Sequence, residues 1–214
     1  RKVSSGIPGS IADSTNEGDS VQLAIGQGTM LVTPLQVANF VAAIGNGGTL
    51  YRPQIIEKIT DQDGNSIYTF QAEEKSALPI SEETLLSVRE AMRMVVAEPR
   101  GTAYRTFSGV GVKMYGKTGT AQNPNGNPHA WFAGYTDAGI AGKPDIAMVV
   151  LVENGGEGSE VAAPIFRRVL SYYFFNTPGP LYPWESDFFV TKTPTDLYTK
   201  TPTEGPAVTE TPAP

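Results

Sequence analysis

The first helical pattern in the chain begins at Thr33. Thr33 is placed as an N-cap, Pro34 as the first helical residue and Gln36 as the residue that closes a capping box. Apolar residues then recur on one face as far as Ile44, and the glycine-rich residues 45–48 tolerate the left-handed backbone that ends helices. The pattern predicts a core helix over residues 34–44.

A second helical pattern follows Ser81. Glu82 and Glu83 lie in the first turn, where the positive end of the helix dipole favours acidic residues, and Pro99 marks the end. Its inward face comprises Leu85, Val88, Met92 and either Val95 or Val96. The pattern predicts an amphipathic helix over residues 82–98.

Other stretches carry β-branched residues or alternate between apolar and polar positions, which is typical of strands. The predicted strands are residues 112–122, 130–136 and 145–153, and residues 51–60 and 66–70 are predicted to form a hairpin around Asp63-Gly64-Asn65. A last amphipathic helix is predicted over residues 162–174, and residues 1–19 are predicted to be an extended loop. The fold class is therefore α+β, an antiparallel sheet covered by helices.

Composition limits the function. The 214 residues are 40% hydrophobic and 18% charged, enough for one ordinary core. A net charge of −6 argues against nucleic acid or an anionic membrane as the main partner, and the absence of cysteine excludes disulfides and thiol catalysis. The longest apolar run, residues 146–152, is far shorter than the about 20 residues that a membrane-spanning helix needs.

The end of the chain has a different composition. The segment from Thr191 to Thr195 recurs from Thr199 to Thr203, and eight Thr and five Pro lie between Thr191 and Pro214. So few apolar side chains cannot offset the entropy of ordering the backbone. We predict a folded domain over residues 1–176 and a disordered tail over residues 177–214, which is either an extracellular spacer or a segment without a role.

The predicted strand 112–122 contains Lys117-Thr118-Gly119-Thr120, whose residue types suit acyl transfer on a substrate that ends in a carboxylate. The Lys117 ammonium attracts a carboxylate and favours deprotonation of a neighbouring hydroxyl. Thr118 and Thr120 fall on one face of a strand, so both hydroxyls can bind the carboxylate, and Gly119 leaves room between them. A substrate peptide could add to the strand antiparallel.

Further segments resemble the transpeptidase domain of penicillin-binding proteins. They are residues 24–28, 32–39, 46–53, 129–135 and 152–156, and the resemblance extends over about residues 6–174. It is closest to the class B, monofunctional enzymes that cross-link peptidoglycan. The resemblance implies catalytic roles for Lys117 and Thr120, with the Thr120 amide as oxyanion donor, and substrate binding by Thr118, Gly119 and Thr120.

One departure from the family concerns the nucleophile. No Ser-x-x-Lys motif occurs in the 214 residues, and Ser14-Thr15-Asn16, which fits the second family motif, lies on the wrong side of residues 6–9. We therefore expect the serine and the true second motif to lie N-terminal to Arg1, in a missing part of the same domain or in another chain.

The resemblance implies a serine DD-transpeptidase that acts outside the cytoplasm, anchored by a segment not in this chain. Its expected partners are D-Ala-D-Ala stem peptides, β-lactams and cell-wall synthesis proteins, with no cofactor and no nucleic acid. A non-catalytic β-lactam sensor or peptidoglycan-binding module and a serine β-lactamase remain alternatives.

A remote alternative is a P-loop NTPase, because residues 111–118 satisfy its glycine-lysine pattern. The breakers Asn123-Pro124 and Asn127-Pro128 argue against the helix that such a loop needs. His129 is expected to close a strand turn or to line the edge of the cleft rather than to act as a base, and Glu153 and Glu157 are expected to be loop charges. Without cysteine or a second histidine, no metal site is predicted.

Overall fold

The computed structural model describes residues 17–28, 30–179 and 182. Within these ranges the helices are α1 (Glu17–Ala24), α2 (Pro34–Gly45), α3 (Glu82–Ala97), α4 (Tyr104–Phe107) and α5 (Ala163–Phe175), the last preceded by a π-helical turn, Gly158–Ala162. The strands are β1 (Thr49–Tyr51), β2 (Lys58–Thr60), β3 (Ser66–Thr69), β4 (Glu74–Ala77), β5 (Met114–Ala121), β6 (His129–Thr136) and β7 (Ala147–Val152).

The central sheet is antiparallel, with the order β5-β6-β7. In its register Lys117 lies opposite Ala133, and Phe132 lies between Thr118 on one side and Val150 on the other. The three strands predicted from the sequence are confirmed: β5 and β7 are each three residues shorter than predicted, and β6 begins one residue earlier, at His129. Because β6 takes the centre, β5 pairs with a strand on one side only within the described part of the chain.

Helices pack against both faces of this sheet, which confirms the α+β fold class. On one face, fully buried Phe132 contacts the rings of Phe107 and Phe166, with ring centroids 5.0 and 4.8 Å away, so α5 and α4 cover that face. On the other face, Tyr115 and Tyr135 stack 4.6 Å apart beneath α2 and α3. The sheet is therefore the middle layer of three.

The predicted helix starts are confirmed at the level of hydrogen bonds. The backbone N–H of Gln36 donates to Thr33 Oγ1 at 3.2 Å, and the backbone N–H of Thr33 donates to the Gln36 side-chain oxygen Oε1 at 2.8 Å. The two bonds complete the capping box. At α3 the Thr84 amide donates to Ser81 Oγ at 3.1 Å. These caps satisfy amides that have no partner within the helix.

The predicted hairpin over residues 51–60 and 66–70 is only partly right. Lys58–Thr60 pairs with Ser66–Thr69 around the predicted turn, but Tyr51 belongs to β1, which pairs with the unpredicted strand β4. Pro53 lacks an N–H for a continuous strand ladder, and all residues of β4 are exposed. The sequence therefore shows no apolar alternation at β4 from which to predict it.

The predicted extended loop over residues 1–19 is wrong where the structure describes it, because residues 17–19 open helix α1. Val21 of that helix is 66% exposed, so no buried face revealed it. Helix α4 was also missed, since a single turn is too short for a periodic pattern. Residues 1–16, including the Ser14-Thr15-Asn16 motif, lie outside the described residues.

Helix α5 ends at Phe175, and Asn176 takes the left-handed conformation (φ 54°) that commonly terminates helices. Almost all of residues 177–214 lie outside the described part of the chain, so the disordered tail and the boundary at residue 176 stay predictions. Among the described helices, none has the length and apolar character to cross a bilayer.

Candidate functional site

Strand β5 emerges from the core halfway along its length. Met114, Tyr115 and Gly116 are buried, whereas Lys117 is exposed and the following residues are half-buried. The segment is extended, as predicted, and lies at an edge of the described sheet. The Lys-Thr-Gly residues therefore occupy the accessible part of an edge strand.

The backbone of this part of β5 presents polar groups to the open edge. The carbonyl oxygen of Thr120 accepts a hydrogen bond from Gln27 Nε2 at 2.9 Å, and that of Thr118 accepts one from Lys117 Nζ at 2.8 Å. In an antiparallel strand the N–H and C=O of one residue point to the same side. The amides of Thr118 and Thr120 therefore face away from β6, and the Lys117 ammonium lies beside them.

The two threonine hydroxyls of the motif each have a partner from a different element. Thr118 Oγ1 lies 2.8 Å from Thr102 Oγ1, and either hydroxyl can be the donor. Thr120 Oγ1 donates to Glu157 Oε2 at 2.8 Å. Because residues two apart share a strand face, both hydroxyls project on the same side of the sheet.

Gly119 separates these threonines and faces the opposite side. A Cβ built there would lie 3.1 Å from Cβ of Trp131, the residue directly across on β6. A side chain at position 119 would therefore crowd Trp131. The absence of a side chain at Gly119 keeps this part of the edge flat.

Sequence reasoning missed three residues that contact the motif: Gln27, Thr102 and Glu157. Gln27 lies in the family-like segment 24–28 but had no predicted role. Thr102 lies in the turn before α4, which gave no pattern. Glu157 is an exposed loop charge, as predicted, but its carboxylate also accepts a hydrogen bond from the Thr120 hydroxyl, which the sequence did not indicate.

The prediction that His129 closes a strand turn is confirmed. At the start of β6 its Nδ1 accepts a hydrogen bond from the backbone N–H of Asn154 at 2.9 Å. The P-loop alternative is excluded by the secondary structure. Lys117 and Thr118 lie inside a strand rather than at the start of a helix, so no helix N-terminus is available for a phosphate.

Fold and site together define a domain of mixed helix and antiparallel sheet that presents a lysine and two threonine hydroxyls on an open edge strand. Residues 2–171 match the family model of the penicillin-binding protein transpeptidase domain, and the chain belongs to this family.

The chain is 31% identical to the peptidoglycan D,D-transpeptidase MrdA of Haemophilus influenzae, over 73% of this chain and 26% of that protein. It is 32% identical to the peptidoglycan D,D-transpeptidase PbpA of Mycolicibacterium smegmatis, over 79% of this chain and 34% of that protein. The matched structures include an imipenem acyl-enzyme complex of penicillin-binding protein A from M. tuberculosis. There the TM-score is 0.58 and the identity 28%, over 74% of this chain and 34% of that one. The chain thus spans about a quarter to a third of these relatives.

Proposed function

We propose that this chain supplies the substrate-binding edge strand of a serine peptidoglycan DD-transpeptidase. Lys117 attracts the terminal carboxylate of a D-Ala-D-Ala stem peptide and supports proton transfer at the nucleophile. Thr118 and Thr120 donate their hydroxyls to that carboxylate, and the Thr120 amide stabilises the oxyanion. No cofactor takes part in these roles.

The observation that carries this proposal is the open edge of β5. A peptide that replaces Gln27 at the Thr120 carbonyl and Lys117 at the Thr118 carbonyl can add to this edge as an antiparallel strand, while the ammonium of Lys117 holds the end of that peptide. The names of the relatives, peptidoglycan D,D-transpeptidases, support the reaction, and the imipenem acyl-enzyme of a similar protein supports β-lactams as ligands. Because the relatives are named as peptidoglycan enzymes, the proposal also places the protein outside the cytoplasm, held at the membrane by a segment not in this chain.

The proposed reaction has two steps. The serine oxygen bonds to the carbonyl carbon of the penultimate D-Ala, the C–N bond to the terminal D-Ala breaks, and the leaving amine takes up the serine proton. An acceptor amine then attacks the resulting ester, forms the cross-linking amide and returns a proton to the serine. Because the 214 residues contain no Ser-x-x-Lys, this serine comes from outside the chain.

Mass spectrometry after incubation with a labelled penicillin tests the proposal. The isolated chain should form no adduct, whereas the parent polypeptide, which also carries the nucleophile, should be acylated on a serine outside this chain. In the parent polypeptide, Lys117→Ala should slow acylation at least about tenfold, because it removes a charged hydrogen-bond donor from the carboxylate site.

Lys75→Ala, which removes an exposed lysine on β4, is the matched control and should leave the rate unchanged. An adduct on the isolated chain would overturn the assignment of the nucleophile. Binding of a carboxylate β-lactam by a parent polypeptide that is never acylated would favour the alternative of a non-catalytic sensor or peptidoglycan-binding module.

A further inference from the structure

Glu157 contacts the residue that is proposed to bind the substrate carboxylate. Its Oε2 lies 2.8 Å from Thr120 Oγ1. The backbone N–H of Gly158 approaches Thr120 Oγ1 as well, at 3.5 Å. A threonine hydroxyl has one proton to donate and two lone pairs to accept with. An ionised carboxylate only accepts, so the proton of Thr120 points to Glu157.

This contact occupies the group that a ligand carboxylate would use. While the Thr120 proton is donated to Glu157, it cannot also be donated to a second carboxylate. A ligand that binds there must first turn the hydroxyl away, and its own negative charge then lies close to that of Glu157. The arrangement therefore disfavours carboxylate ligands, whereas a neutral ligand meets no such repulsion.

Glu157 can leave Thr120 by rotation of its side chain while the backbone stays in place. Gly158 is buried against the sheet, since a Cβ there would lie 2.3 Å from the carbonyl oxygens of both Gly119 and Trp131. On the other side of Glu157, the Gly156 amide donates to Pro128 O at 2.9 Å. The exposed Glu157 side chain thus extends from a backbone anchored at both neighbours.

We propose that Glu157 is a specificity-determining residue: it takes the place of the substrate carboxylate at Thr120 in the free protein and weakens the selection of carboxylate over neutral ligands. The inference rests on the proposed function and adds a built-in competitor to the same site. Exposed charge pairs alter an equilibrium by up to about fivefold, and this sets the size of the effect.

The test compares a penicillin that has a free carboxylate with its neutral methyl ester, on the parent polypeptide. The second-order acylation rate constant is measured for each, and the ratio of acid to ester is the readout. Glu157→Gln keeps the shape of the side chain and removes its charge, so the ratio should rise up to about fivefold. Glu157→Ala removes the competitor altogether and should raise the ratio as well.

Glu153→Gln is the matched control, because it removes an exposed charge from the same loop without touching Thr120, and its ratio should equal that of the unaltered protein. Since acid and ester are compared within each variant, a loss of folded protein cancels. A ratio that stays constant or falls in both Glu157 variants would overturn this inference alone. Failure of both ligands to acylate the unaltered protein would overturn the proposed function, and this inference with it.

Discussion

The backbone of Gly158 lies against the pair of strands that carries the candidate site. An added Cβ would lie 2.3 Å from the carbonyl oxygens of Gly119 and Trp131 and 3.0 Å from the amide nitrogen of Gly119. All three neighbours are backbone atoms in the ladder between β5 and β6. They cannot turn aside as the end of a side chain can, so Gly158→Ala must displace the π-helical turn or the strands.

The expected cost follows from two opposing effects. Overpacking a well-packed region typically costs about 1–3 kcal/mol. Replacing glycine by alanine also restricts the unfolded chain, which stabilises by about 0.4–1 kcal/mol where the native backbone tolerates alanine. The φ of Gly158 is not positive, so that gain applies. The substitution should lower the free energy of unfolding by about 1–2 kcal/mol.

Urea unfolding of the 214-residue chain, followed by far-ultraviolet circular dichroism, measures this change as a shift in midpoint at constant slope. Gly126→Ala is the matched control. A Cβ added at Gly126 would lie nearest to a side-chain atom, Asn154 Oδ1, at 3.2 Å, and a side chain can move aside where a backbone cannot. It should shift the free energy of unfolding by less than about 0.5 kcal/mol. If Gly158→Ala were as stable as the unaltered chain, the turn could not press on the strands as described.

Three further substitutions test other parts of the structure. Phe132→Ala removes a fully buried ring and should lower the free energy of unfolding by about 3–5 kcal/mol in the same assay. A hydrogen bond from Lys113 lowers the pKa of Asp137, and a lowered folded pKa gives stability that is lost as the pH falls through it. Lys113→Met should therefore reduce the loss of stability on acidification below about pH 4, and an NMR titration should show the pKa of Asp137 rising. Thr102→Val removes the hydroxyl partner of Thr118, so acylation by a carboxylate β-lactam should slow about two- to tenfold, whereas Thr102→Ser should retain the rate.

Helices and strands with a strong local pattern were predicted correctly. The capping box at Thr33 and Gln36 and the cap at Ser81 depend only on residues within one turn, and the buried strands depend on local apolar content. Elements stabilised mainly by pairing were missed. Strand β4 is exposed along its whole length, and it forms because it pairs with β1, which lies 23 to 28 residues earlier in the chain.

The amino-acid sequence by itself determined the residue types at the site and their alternation along β5, because a strand repeats every two residues whatever surrounds it. Only the tertiary structure decided which edge of the sheet stays open and which side chains reach it. Gln27 meets Thr120 across 93 positions, Glu157 meets it across 37, and Thr102 meets Thr118 across 16. Such contacts depend on how separate elements pack together. The pattern of residues within one helix or strand does not predict that packing.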